Sequence, residues 1–149
     1  MTPRGSAGPD PQALCAILRH ARHGLSQRVA RAAAAPEPLF AVEFPALVIE
    51  VEAGFRREEL TMEALGIPGL RERRQHNALI LSALHHASLE VERGRPGVAR
   101  GVAGALRDLL YLHRHAADLV LAVSALQDDT PIRSQNRTGE TASRLCIAT

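Results

Sequence analysis

Residues 55–68 decide the fold and read Phe55-Arg56-Arg57-Glu58-Glu59-Leu60-Thr61-Met62-Glu63-Ala64-Leu65-Gly66-Ile67-Pro68. Phe55, Glu58 and Met62 fall at offsets of three and four residues, which predicts a helix with Glu58 on or beside its apolar face. Gly66 and Pro68 are typical of the end of such a helix. A carboxylate on a core-facing stripe is costly unless a cation, a metal ion or hydrogen-bond donors meet it.

The length and composition favour a single all-α domain. The chain has 149 residues, of which 46% are hydrophobic and only 3% are aromatic, and this composition favours helices packed on helices. Cys15 and Cys146 lie near opposite ends of the chain. No apolar run is long enough to span a membrane, and the N-terminus lacks a hydrophobic signal core. We therefore expect a cytoplasmic protein with both thiols free.

The charge pattern argues against several function classes. The 18 basic residues are all arginines, the net charge is +2, and the arginines are interleaved with glutamates without aromatic residues that would stack on bases. This pattern predicts neither a nucleic-acid nor a membrane partner. The sequence shows no nucleophile beside a base, no phosphate-binding loop and no CxxC motif, so we do not expect an enzyme. Nothing in it marks a protein partner.

Apolar periodicity predicts four helices, over about 11–35, from within 39–45 to 65, over about 68–93 and over about 98–126. Asp10 suits the cap of the first helix and Pro11 its first turn, whereas Pro45 suits only a first turn or a kink. Short connections predict an up-down-up-down antiparallel four-helix bundle over residues 12–126. Flexible polar tails are expected at 1–11 and 127–149.

Histidines in such a bundle are candidate metal ligands, because bundles hold metals between facing helices. His113 lies on a core stripe of the fourth helix and is expected to face inward, either as a ligand or as a neutral core histidine held by a hydrogen bond. His115, about 200° further round the helix, is expected to face outward. We interpret His85 and His86 as surface residues.

The second helix resembles that of the hemerythrins, non-haem di-iron proteins that bind dioxygen in a four-helix bundle. The family signature His-Phe-x-x-Glu-Glu-x-x-Met, then Gly-x-Pro, is matched by residues 55–62 and 66–68, and its His-x-x-x-x-Asp by His113 and Asp118. The resemblance implies iron as cofactor and dioxygen as ligand. It also implies Glu58 and Asp118 as bridging carboxylates and His113 as a ligand of one iron.

The sequence also departs from the family pattern. Gly54 stands where the family has a histidine, and the third-helix His-x-x-x-His falls on Arg73 and Asn77. A shift of one residue would instead bring Glu72 and His76 to the site with the same spacing. The first-helix ligand would be His23 or His20, and the sequence does not fix this register.

Two functions follow from these departures. One is a reduced metal site of the hemerythrin type, built from Glu58, His113 and Asp118 with His23, His76 or Glu72. The other is a metal-free bundle that acts as an interaction or regulatory module, with the guanidinium of Arg73 replacing the metal charge beside the carboxylates. The number of ligands favours the metal-free bundle. Two bridging carboxylates with one or two imidazoles would leave most coordination positions of both irons without a protein ligand. Gly54 would leave a cavity or allow close helix packing.

Overall fold

The computed structural model describes the backbone of residues 10–128 and, within that range, the side chains of residues 10 and 12–115. Its elements are four α-helices: α1 Pro11–Ala34, α2 Glu37–Ala64, α3 Leu70–Glu92 and α4 Pro96–Asp128. No strand occurs within the described range. The tails expected at 1–11 and 127–149 fall almost entirely outside the described residues.

Local sequence sets the helix ends at two predicted positions. The side chain of Asp10 accepts a hydrogen bond from the backbone N–H of Gln12 at 3.0 Å, so it caps α1 as expected. Gly66 follows α2 with a φ of 62°, and the N–H of Ile67 then donates to the carbonyl of Met62 at 2.9 Å. This arrangement closes α2 at the predicted place, since glycine adopts positive φ without steric cost.

The start of α2 differs from the prediction. The helix begins at Glu37, ahead of the expected 39–45, with Pro36 as its N-cap residue and Pro38 in its first turn. Pro45 therefore lies inside the helix, where it is exposed. A proline on the solvent face removes one helical hydrogen bond, but the freed carbonyl one turn earlier can bind water. Helix α2 thus continues through Pro45, although the sequence predicts a first turn or a kink at this proline.

Contacts between helix ends confirm the antiparallel bundle. Arg100 Nη1, near the start of α4, donates to the carbonyl of Ala33 at the end of α1 over 2.9 Å. Arg74 Nη2, near the start of α3, lies 2.9 Å from Glu63 Oε2 at the end of α2. Helices α2 and α4 each pack against α1 and α3, and they also contact each other across the bundle. Neighbouring helices therefore run in opposite directions around a shared core.

The core divides into two apolar clusters with Glu58 between them. The larger cluster includes Phe55 of α2, and its largest fully buried side chains are Phe40, Phe44, Leu84, Val29 and Val51. The smaller cluster consists of Cys15, Met62 and Ile67. Glu58 lies one turn after Phe55 and one turn before Met62, and all three are buried as predicted. A carboxylate is thus held inside the bundle between two apolar regions.

No helix of the described chain combines the length and the apolar character that crossing a membrane requires. Cys15 is disulfide-bonded in the structure, so the expectation of a free thiol is wrong for this residue. Cys146 lies outside the described residues.

Candidate functional site

Two arginines from different helices meet the carboxylate of Glu58. Arg22 of α1 donates from Nη2 to Glu58 Oε1, and Arg73 Nε of α3 lies 3.2 Å from the same oxygen. The side chains of Arg22, Glu58 and Arg73 are only 16%, 8% and 19% exposed. The expected pairing of Arg73 with Glu58 is therefore confirmed, and Arg22 joins it. We call these three residues the arginine–glutamate cluster.

The cluster carries more positive than negative charge. Burial lowers the pKa of Arg22, the ion pair with Glu58 opposes that change, and nearby Arg73 lowers the pKa further. Arginine nevertheless keeps its proton in proteins, so two guanidinium charges face one carboxylate charge. Arg22 Nε and Nη1 are buried, and neither has a hydrogen-bond acceptor among the residues that the structure describes. Two donor atoms of Arg22 thus lack an acceptor, and the three residues of the cluster together carry one more positive than negative charge.

A second set of contacts fixes the register of α3. Asn77 Nδ2 donates to Glu59 Oε1 at 2.7 Å, and Asn77 is 3% exposed. His76 and Glu72 are both exposed. The strictly counted register, with Arg73 and Asn77 facing α2, is therefore the one adopted. The shifted register, which would have brought Glu72 and His76 to the site, is wrong because it would turn α3 by about 100°.

His113 lies close to the arginine–glutamate cluster. It is half-buried, and its pKa is lowered first by burial and then by the positive charges of Arg73 and Arg22. Its inward position agrees with the prediction, as does the exposure of His115. A histidine in this setting favours its neutral form near pH 7.

The other predicted ligands are not assembled beside Glu58. Arg114 Nη1 lies 3.1 Å from Nδ1 of His23, and because arginine only donates, that nitrogen is used as an acceptor. His20 is exposed, and so are His85 and His86. Asp118 belongs to α4, but its side chain lies outside the described residues. Of the predicted ligand set, the structure therefore brings Glu58 and His113 to one site.

Gly54 serves helix packing. A Cβ built on Gly54 would lie 3.2 Å from Cδ2 of Leu25, so the leucine side chain of α1 occupies the space that a larger residue on α2 would need. Both roles predicted for this glycine are therefore observed in part: Gly54 allows close packing of Leu25, and it also borders an open groove between α1 and α2.

The residues around Glu58 do not fit a metal ion. Among the side chains that the structure describes, no three His, Cys, Asp or Glu residues form a group suited to metal binding. Both guanidinium groups are directed at the same carboxylate oxygen of Glu58. A divalent cation at this position would meet two positive charges at short range, which strongly disfavours binding.

Sequence reasoning missed Arg22. Leu18, Arg22, Leu25 and Val29 follow one another at offsets of four, three and four residues along α1, which places Arg22 on the apolar stripe of that helix. Such a position was the available signal, because a charged residue within a core stripe implies a buried partner.

Comparisons of the chain with protein-family models, curated proteins and solved structures found no match.

Proposed function

We propose that this chain is a metal-free bundle of hemerythrin-like design that acts as an interaction or regulatory module. The observation that carries the proposal is the pair of guanidinium groups on Glu58, from Arg22 and Arg73. In the resembled family the matching carboxylate bridges two irons. Here the two fixed positive charges neutralise it, so the bundle can close around this carboxylate without a metal.

Two further observations support this proposal over a reduced iron and dioxygen site. Arg73 and Asn77 stand at the positions of the third-helix histidines of the hemerythrins, and the side-chain amide of Asn77 donates a hydrogen bond to Glu59. The space beside Gly54 is taken by Leu25. Three imidazole positions of the family are thus filled by groups that hold helices together rather than by metal ligands.

Metal content tests this proposal directly. The full chain would be expressed with added iron, purified without chelator and analysed for metals together with its visible absorption. We expect far less than one metal ion per chain, no absorption typical of an oxo-bridged pair, and an unchanged Tm after treatment with chelator. One or two tightly held irons per chain, lost together with stability in chelator, would overturn the proposal.

A matched variant shows whether the scaffold tolerates ligands at the α3 positions. The double substitution Arg73→His with Asn77→His restores the His-x-x-x-His spacing while Arg22 still neutralises Glu58. We expect this variant to fold with lower stability and to bind iron no better than the parent chain, because Arg22 keeps its charge at the site. Strong iron binding by this variant alone would show that the α3 substitutions, rather than Arg22, exclude the metal.

The state of the Cys15 thiol tests the expected cytoplasmic location. Structural disulfides are rare in the reducing cytosol, and Cys15 is disulfide-bonded, so the thiol state decides the question. Alkylation of the native protein in its own cells before lysis would label both cysteines in a cytoplasmic protein, whereas protection of Cys15 until reductant is added would argue against that location.

A further inference from the structure

A groove between α1 and α2 leads to the arginine–glutamate cluster. Its volume is about 410 Å³, within the range of small-molecule sites in proteins. Most of its surface is apolar, and Arg22 and Glu58 belong to its wall. The apolar part of the lining consists of Leu18, Ala21, Gly24, Leu25, Ile49, Ala53 and Gly54.

The polar groups of the groove are suited to binding an anion. Arg22 is paired with Glu58, yet its Nε–H and Nη1–H are buried and find no acceptor within the described part of the chain. Leaving such donors unmet is costly, and the cost is larger for a charged group. Because these two atoms have almost no accessible surface, a ligand in the groove supplies acceptor oxygens to them when the Arg22 side chain turns towards it, and this turn removes the penalty.

Charge balance leads to the same conclusion. Arg22 and Arg73 exceed Glu58 by one positive charge, and Arg28 and Glu50 on the groove wall neutralise each other. Arg57, also in the lining, is exposed and forms no ion pair with any residue between 10 and 115. The groove therefore presents a net positive charge beside apolar walls, the complement of a molecule with a negative head and a hydrocarbon body.

We propose that this groove binds a medium-chain aliphatic carboxylate. The carboxylate accepts hydrogen bonds from Arg22 and balances the extra guanidinium charge, while the chain lies along Leu25, Ile49 and Ala53. The proposal rests on the proposed function, because a metal ion on Glu58 would displace Arg22 from its present partner. It gives the interaction module a ligand class, small amphipathic acids.

Titration of the full chain with three compounds tests the two halves of the site. Octanoate carries both the acid and the chain, octanol only the chain and acetate only the acid. We expect octanoate to raise the Tm in a saturable way and to bind at least about tenfold more tightly than either control compound, as measured by calorimetry. Equal effects of octanoate and octanol, or no effect of octanoate, would overturn the proposal.

Substitutions in the groove locate the binding. Ala53→Trp fills the groove from an exposed position, and Ala83→Trp on the exposed face of α3 is its matched control. We expect Ala53→Trp to weaken octanoate binding about tenfold or more, with Ala83→Trp unchanged and both variants as helical as the parent. Undiminished binding in Ala53→Trp would place the ligand elsewhere and refute the site.

A second variant tests the role of the charge without leaving an unpaired ion. Because Arg73 also pairs with Glu58, the variant replaces the whole cluster, by Arg22→Leu, Glu58→Leu and Arg73→Met together; this keeps an apolar wall, and such replacements often preserve stability. We expect the preference for octanoate over octanol to disappear in this variant. A retained preference would exclude Arg22 as the anchor. Metal analysis of the same samples separates a failure of this site from a failure of the metal-free proposal.

Discussion

The Nε atom of Arg73 lies 3.2 Å from Oε1 of Glu58, the same oxygen that receives the guanidinium of Arg22. One carboxylate thus connects α1, α2 and α3 through buried, charge-assisted hydrogen bonds, which are stronger than neutral ones. Buried ion pairs of this kind affect stability mainly when one partner is removed. The charge that remains in the core is then unpaired, and an unpaired buried charge destabilises the fold far more than a paired one.

Arg22 is predicted to be the most sensitive residue of the cluster. We expect Arg22→Ala to lower the free energy of unfolding by about 3 kcal/mol, because it removes the closer of the two guanidinium partners of a buried carboxylate and leaves only Arg73. The matched control is Arg28→Ala, six residues further along α1. Arg28 also pairs with α2, through Glu50 with Nε 2.7 Å from Oε2, but those side chains are 48% and 41% exposed. Urea unfolding should show no measurable loss for Arg28→Ala. Equal losses in the two variants would mean that burial of Glu58 does not set the cost.

Arg73→Ala is predicted to cost less than Arg22→Ala. Arg22 remains on Glu58 in this variant, so we expect a loss of about 1–3 kcal/mol in the free energy of unfolding. The double variant should lose more than the sum of the two single ones, since only then is Glu58 without a cation. Strict additivity in a double-mutant cycle would contradict the shared role of the two arginines.

His113 gives a spectroscopic measure of the charge in the cluster. Its pKa lies below the usual 6.5 because of burial and the charges of Arg73 and Arg22. The unfolded chain therefore binds a proton more readily than the folded one, so this group reduces stability as the pH falls below about 6.5. Replacing Arg73 by Met removes a nearby positive charge while keeping an apolar stem, and NMR titration of His113 should then show a higher pKa. An unchanged or lower pKa would mean that Arg73 does not act on His113.

Sequence reasoning captured most of this arrangement and missed specific parts of it. The periodicity around Phe55, Glu58 and Met62 was sufficient to place a carboxylate in the core, and strict counting from Gly66 placed Arg73 beside it. Arg22 was missed because no motif marks it and because three- and four-residue spacing was followed only through apolar residues. The start of α2 was misplaced because proline rules describe isolated helices. Burial of Phe40 and Phe44 before Pro45, and of Leu47 and Val48 after it, stabilises α2 on both sides of the proline.

Gly54 is predicted to be replaceable by alanine but not by histidine. Alanine gains about 1 kcal/mol of helix propensity, and its Cβ would meet only Leu25, at 3.2 Å. Because Leu25 borders the open groove, it can shift by a few tenths of an ångström. Gly101→Ala is the matched control, since a Cβ there meets nothing within 4 Å. We expect both variants to be more stable than the parent, Gly101→Ala by the larger amount, and Gly54→His to be destabilised because it displaces Leu25. A stable Gly54→His variant would show that the space is open.

Glu90 is predicted to make the bundle sensitive to acid at the connection between α3 and α4. Hydrogen bonds from Arg95 and then Arg93 lower its pKa from 4.5 to about 2, with Arg95 Nε 2.7 Å and Arg93 Nη1 2.8 Å from its oxygens. A carboxylate with a depressed pKa in the folded state stabilises the fold above its unfolded pKa and loses that contribution as the pH falls through its folded pKa. The Glu90 contribution should therefore be complete above about pH 4.5 and disappear towards pH 2.

The variant Glu90→Gln isolates this effect. At neutral pH we expect it to be less stable than the parent chain, and the difference should shrink steadily between pH 4.5 and pH 2, because the parent then loses the same charge by protonation. Exposed Glu92→Gln in the last turn of α3 controls for the loss of one negative charge from this region. Urea unfolding at several pH values measures all three proteins. A difference between Glu90→Gln and the parent that stays constant down to pH 2 would show that the Glu90 carboxylate is not held by Arg93 and Arg95.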